Sequence, residues 1–197
     1  MNFKLFLLSI GLLVSSVSAQ TKTNLEVVDS LIGLSINKIS NSVLDKSDEF
    51  ALNFNSPEDY KIFNNSIVDK LQKSGFNLSE EKNRSEILNY SIENIAVDYS
   101  DMFRDGIFGE YLIQRNINLN GSYFVISSGN LGNVNNYEYT FKDTVALNAV
   151  NSLQNIAYSF TSPEIPDEPF FSSLVEPTIA VGTAAIAVYL FFNIRSK

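Results

Sequence analysis

Two stretches of the chain place a hydroxyl one helical turn from an amine: Ser35 with Lys38, and Ser79 with Lys82. That spacing lets an amine activate a serine for acyl transfer. Neither pair has the Ser-Asp-Asn or Lys-Thr-Gly companions such enzymes use, and a serine-rich chain produces the spacing by chance, so catalysis is not expected at either. Asp98, Asp101 and Asp105 precede Gly106 and offer oxygens to a hard cation such as calcium. Their spacing is not that of a calcium-binding loop, and a solvated acidic loop between strands is the simpler reading. Tyr111, Tyr123, Phe124, Tyr137, Tyr139 and Phe141 could line a ligand-binding face, although alternate aromatics on strands more simply form a core with cross-strand pairs.

The residue types that are missing narrow the chemistry further. The 197 residues include no Cys, His or Trp, which removes disulfides, thiolate nucleophiles, Cys/His zinc sites and every triad built on an imidazole. No phosphate-binding glycine loop is present. The expectation is a protein that is not an enzyme and needs no cofactor or metal. Residues 20–174 carry 11 basic against 21 acidic residues, a net charge of −10, with no basic run. Such a body repels phosphate backbones, which argues against nucleic acid as a partner.

The elements that position these residues are legible in the spacing of apolar side chains. Thr23 and Glu26 form a capping box ahead of Leu25, Val28, Leu31, Ile32, Ile36, Ile39 and Val43, which predicts an amphipathic helix. Phe50, Leu52 and Phe54 alternate with Glu49, Ala51 and Asn53 in a short strand. Ser56 is expected to cap a second helix with Pro57 at its first position; Tyr60, Phe63, Ile67 and Leu71 make its stripe and Gly75 ends it. From Phe76 the period becomes two: strands are predicted over 87–99, with a bulge near Asn94, over 111–125, and around Tyr137 to Phe141 after a turn at 128–133. Residues 145–157 fit a short helix loosely. The fold class expected is α+β, with two helices packed on one face of a mainly antiparallel sheet.

Both ends read as membrane signals. Residues 1–19 combine Lys4, an apolar run over 5–14 and small residues up to Ala19, the plan of a secretory signal peptide cleaved after Ala19. An extracytoplasmic domain follows over 20–160, then a Pro-rich stalk over 161–174 with prolines at 163, 166 and 169. Residues 175–194 are expected to form a transmembrane helix that starts at Pro177, contains Gly182 among its small residues, and brings Tyr189 and Phe192 to one interface. Its uncharged part, 177–194, reaches ~27 Å at ~1.5 Å per residue. Arg195 and Lys197 form a short tail, 195–197, that the positive-inside bias puts in the cytoplasm. The small-residue spacing of Ala180 with Ala184 allows self-association as a homo-oligomer. This gives a single-pass protein of the inner membrane with its body in the periplasm or outside the cell.

Ser56-Pro-Glu-Asp heading a helix that ends at Leu71-Gln-Lys-Ser-Gly-Phe76, followed by a strand meander, resembles small envelope domains of bacteria. Examples are the N-terminal domain of the translocation protein TolB and lipoproteins that assist outer-membrane assembly. The likeness runs from Leu25 to Phe141. The tail from Glu176 to Lys197 is similar to that of membrane-anchored proteins of Bacteroidota-like bacteria. The resemblance implies a noncatalytic interaction or assembly factor with an envelope protein as partner; the alternative is a carrier for an apolar or glycolipid ligand. A C-terminal helix in place of a lipid anchor is a departure from the lipoproteins.

Overall fold

The computed structural model describes residues 21–43, 46, 48–79, 86–106, 109–167 and 172–194, with side chains along the last segment described for 177–193. Ala19, Lys82, Arg195 and Lys197 lie outside the described residues.

Helix α1 (Asn24–Ser42) begins as its capping box requires: Glu26 N donates to Thr23 Oγ1 at 3.2 Å and Thr23 N donates to Glu26 Oε2 at 2.7 Å. Two orphan donors of the first turn are thereby satisfied. Strand β1 (Glu49–Asn55) leads into a 3-10 turn, Glu58–Phe63, and only then into α2 (Asn64–Lys73). The expected cap at Ser56 is therefore displaced. Pro57 sits before the 3-10 turn, the Ser56 hydroxyl has no hydrogen-bond partner among the described residues, and Tyr60 and Phe63 are buried from the turn rather than from the helix. Gly75, at φ 94°, ends α2, with Phe76 N donating to Leu71 O at 3.1 Å.

The remaining strands are β2 (Asn77–Ser79), β3 (Glu86–Arg104), β4 (Tyr111–Ser127), β5 (Asn130–Leu131) and β6 (Asn135–Ala146), followed by a one-turn helix α3 (Val150–Leu153) and by α4 (Ser172–Ile194). The sheet runs β2-β1-β3-β4, and β4 pairs along its other edge with both β5 and β6. The domain is α+β, but the sheet is mixed: β1 pairs in parallel with both β2 and β3, while β3, β4, β5 and β6 are antiparallel. The parallel part follows from β1-α2-β2, a strand-helix-strand crossover that brings the second strand back in the same direction. A register shift between Ile92 and Asn94 is the bulge predicted near Asn94, and a second falls between Ser100 and Phe103.

One face of the sheet carries the core. Phe50, Leu88, Tyr90, Ile92, Ile95, Val97, Ile117, Leu119, Tyr123 and Tyr137 pack against Val28, Ile32, Ile36 and Ile39 of α1 and Ile67 and Leu71 of α2. Lys70 of α2 reaches both carboxylate oxygens of Asp29 on α1 at 2.7 Å, fixing the helices side by side. A second cluster, Tyr99, Ile113, Val145, Val150 and Leu153, closes the same face at its far end.

The C-terminal segment departs from expectation in part. Helix α4 forms, but it starts before Pro177, which lies inside it rather than at its first position. Among the described residues no helix is long and apolar enough to cross a membrane.

Candidate interaction surface

Ser35 and Lys38 are not brought together. Ser35 is buried and hydrogen-bonded to Ile32 O and to the Tyr90 hydroxyl, both at 2.7 Å, whereas Lys38 Nζ donates to Asn136 O at 2.8 Å. The amine is engaged elsewhere, and the serine is a core hydroxyl. Ser79 ends β2, and its companion Lys82 lies outside the described residues. Asp98 and Asp101 are on β3 rather than in a loop: Asp98 accepts from Asn116 Nδ2 at 3.4 Å, and Asp101 adopts φ 49° at the second register shift. Asp105 N donates to Glu110 O across the turn. Among the described residues no group of three or more His, Cys, Asp or Glu could hold a metal ion.

Tyr90, Tyr123, Tyr137, Tyr139 and Phe141 pack between helices and sheet, whereas Phe124 alternates onto the opposite face and is partly exposed. Tyr90 and Tyr137 stack with ring centroids 5.6 Å apart, and Tyr137 donates to Ser91 O at 2.7 Å. Burial pushes the Tyr90 phenol up to about 12, with the Ser35 hydrogen bond opposing. Tyr137 is raised in the same direction by burial and by the neighbouring Tyr90. Tyr139 reaches Leu34 O, Phe141 lies under the Arg115 guanidinium, and Tyr111 lies under that of Arg104. These contacts hold the layers together.

Sequence reading missed Arg115. It is 0% exposed, in bidentate contact with Asp143 at 2.8 and 2.6 Å, and its third nitrogen donates to Lys22 O and Asn24 Oδ1. Because Asn24 also donates to Thr161 O and to the Tyr99 hydroxyl, one guanidinium ties the start of α1, the sheet and the end of the domain into one network. Period two placed Arg115 on the inward face with Ile113 and Ile117, and that was the available signal.

The other face of the sheet has no such cover among the described residues. Across β3, β4 and β6 the registers align Ser91 with Ser122 and Asn136, Asn94 with Asn120 and Glu138, Ala96 with Asn118 and Thr140, and Asp98 with Asn116 and Lys142. These small polar side chains bond one another, as in Thr140 to Asn118 at 2.6 Å and Ser122 to Glu93 at 2.8 Å. At the β1 end lies a depression of about 320 Å³ lined by Ala51, Asn53, Ile87, Asn89 and Ile126. Beyond the domain, Val181, Ile186, Val188, Tyr189, Phe191 and Phe192 of α4 are all more than half exposed. Among the described residues the chain therefore presents two exposed surfaces of opposite character: a polar open sheet and an apolar helix.

No protein-family model matches the chain, and no curated protein matches it by sequence. Among solved structures it is similar to the rare lipoprotein B from Shewanella oneidensis, with 9% identity over 74% of this chain and 93% of that one, at a TM-score of 0.34. A minor lipoprotein from Acinetobacter baumannii is similar at 10% identity over 72% of this chain and 93% of its own, also at a TM-score of 0.34. At that level of superposition the architecture rests on the sheet and core described above.

Proposed function

We propose that the chain is a noncatalytic interaction factor of the cell envelope, attached to a membrane by α4 and presenting its open sheet face to an envelope protein. The observation that carries this reading is α4 itself. Exposed apolar residues on all its sides, from Ile179 to Phe192, form a surface that water does not tolerate as a monomer. An interfacial helix would be polar along one side; this one is not, which favours burial in lipid. In the finer form of the proposal the helix crosses the inner membrane once, with Arg195 and Lys197 on the cytoplasmic side and the body in the periplasm. The signal-type start of the chain and the sequence resemblance to envelope domains support the same placement. The engaged Ser35 and Lys38 and the scattered aspartates support a role without catalysis.

The test is photo-crosslinking in the native cell from a reactive residue replacing Asn118, at the centre of the open face. An identified envelope protein is expected in the crosslink, together with retention of the chain in alkali-washed membranes. Both should be lost when the chain is stopped before Glu176. Recovery of the shortened chain in washed membranes, or no crosslink from Asn118, overturns the reading.

A further inference from the structure

Strand β6 is an edge. It pairs with β4 on one side and with no strand on the other among the described residues. At ~3.4 Å per residue its twelve residues make an edge of about 40 Å. An edge of this length carries a row of backbone donors and acceptors able to template another strand. Among the described residues, Lys38 occupies the first of these positions, through its bond to Asn136 O. We infer that a second copy of this chain occupies the rest, by antiparallel pairing of β6 with β6 about a two-fold axis at Thr140.

The sequence of the strand is self-complementary about that residue. With Thr140 opposite Thr140, Glu138 of each copy faces Lys142 of the other on the open face, and Tyr139 faces Phe141 on the core face. Glu138 and Lys142 are exposed, and neither forms an ion pair among the described residues. The strand's third charge, Asp143, is neutralised by Arg115. In a chain of net charge −8, β6 thus offers a locally neutral edge on which two acidic bodies can meet. Tyr139 and Phe141 are half-buried and would bury more of their rings.

The charges also select the register. Moving the axis by one residue sets Glu138 and Lys142 against threonine or asparagine. Moving it by two sets Glu138 against Glu138 or Lys142 against Lys142, and like charges directly opposite are destabilising. The axis at Thr140 is the register in which opposite charges meet twice, and the resulting interface is closed, with the same patch used on both subunits. It would join two sheets into one and double the open face. The inference goes beyond the proposed function and can fail without it.

The chain has no cysteine, so crosslinking can be directed to single positions. In the full chain purified in detergent, Thr140→Cys should oxidise rapidly to a disulfide dimer, because directly opposed residues have Cβ atoms about 5 Å apart. Thr144→Cys should not, since its two copies would lie about 27 Å apart along the paired strands. Adding Lys142→Glu or Glu138→Lys to Thr140→Cys should each slow dimer formation at least tenfold. Mixing those two proteins should restore it, because the mixed pair again sets opposite charges face to face. Equal crosslinking at 140 and 144, or no response to Lys142→Glu, overturns the pairing. If the chain is monomeric but still crosslinks an envelope protein from Asn118, the pairing alone falls; if it dimerises through Thr140 and captures no such protein, the proposed function alone falls.

Discussion

Along β4, Ile113, Arg115, Ile117, Leu119 and Tyr123 point toward the core and are all buried, while Gln114, Asn116, Asn118, Asn120 and Ser122 point the other way and are partly exposed. The same strand therefore serves two solvents. On the inward face every polar group is tied down: Arg115 by Asp143 and Asn24, Tyr90 by Ser35, Tyr123 by Ser42. On the outward face the polar groups bond to one another, and two buried side-chain atoms, Asn89 Nδ2 and Asn116 Oδ1, have no partner among the described residues. The difference assigns stability to one face and availability to the other, and it can be broken or sharpened by substitution.

The largest effect should come from stranding the buried guanidinium. Asp143→Ala leaves Arg115 charged and 0% exposed with only two acceptors, and removing one partner of a buried pair costs about 3–5 kcal/mol. Urea denaturation should show that loss with an unchanged slope. Replacing both partners by leucine should cost much less, because no uncompensated charge remains.

Next is Gly121, where β4 passes under the Tyr137 hydroxyl. A Cβ there would stand 2.1 Å from Ser91 O and 2.5 Å from Tyr137 Oη. The first obstacle is backbone and cannot swing away, so Gly121→Ala should destabilise by about 1–3 kcal/mol, the usual scale of overpacking. A melting temperature unchanged by that substitution would show that the β3 bulge opposite Gly121 can widen freely.

Tyr90→Phe should cost about 1 kcal/mol near neutral pH, the worth of its hydrogen bond to Ser35. It should also change the response to alkali. The folded chain keeps the Tyr90 proton up to about 12, while the unfolded chain releases it near ~10. Between those values the folded state binds more protons, so the stability contributed by Tyr90 is complete below about pH 10 and is lost as pH rises through 12. Denaturation midpoints measured from pH 9 to 12 should fall less steeply for Tyr90→Phe. Some decline should persist, because Tyr137 titrates in the same sense.

How far the sequence foretold this molecule follows from what each signal encodes. Apolar spacing and caps are local, so α1, the Gly75 stop and the bulge near Asn94 were legible. Strand direction is not local. Period two says which residues share a face but not which strand lies beside β1, so its parallel pairing with β3 had no sequence signal of its own. The delay between Pro57 and α2 had a similar origin, since Tyr60 and Phe63 fit a helical stripe whether they sit in an α-helix or a 3-10 turn. Of the candidate site, Ser35 and Lys38 share a helical spacing but not a contact, and Asp98 and Asp101 lie on β3 rather than in a loop, neither of which spacing alone encodes. The open face was present in the alternation Asn116, Asn118, Asn120, Ser122 together with the expectation that both helices pack on one side of the sheet.

The smallest effect is the one that most sharpens the comparison. Asn118 lies midway across the open face, opposite Ala96 and Thr140, and accepts a bond from the Thr140 hydroxyl at 2.6 Å. If that face is reserved for a partner, Asn118→Ala should shift stability by no more than about 0.5 kcal/mol, as for surface positions without a structural role. Its inward neighbour Ile117 is 0% exposed, and Ile117→Ala should cost about 2–5 kcal/mol in the same denaturation assay. Adjacent residues on one strand would then differ severalfold in their contribution to folding. A loss at Asn118 comparable to that at Ile117 would mean that the polar ladder holds the sheet together in its own right, and the division of labour between the two faces would no longer hold.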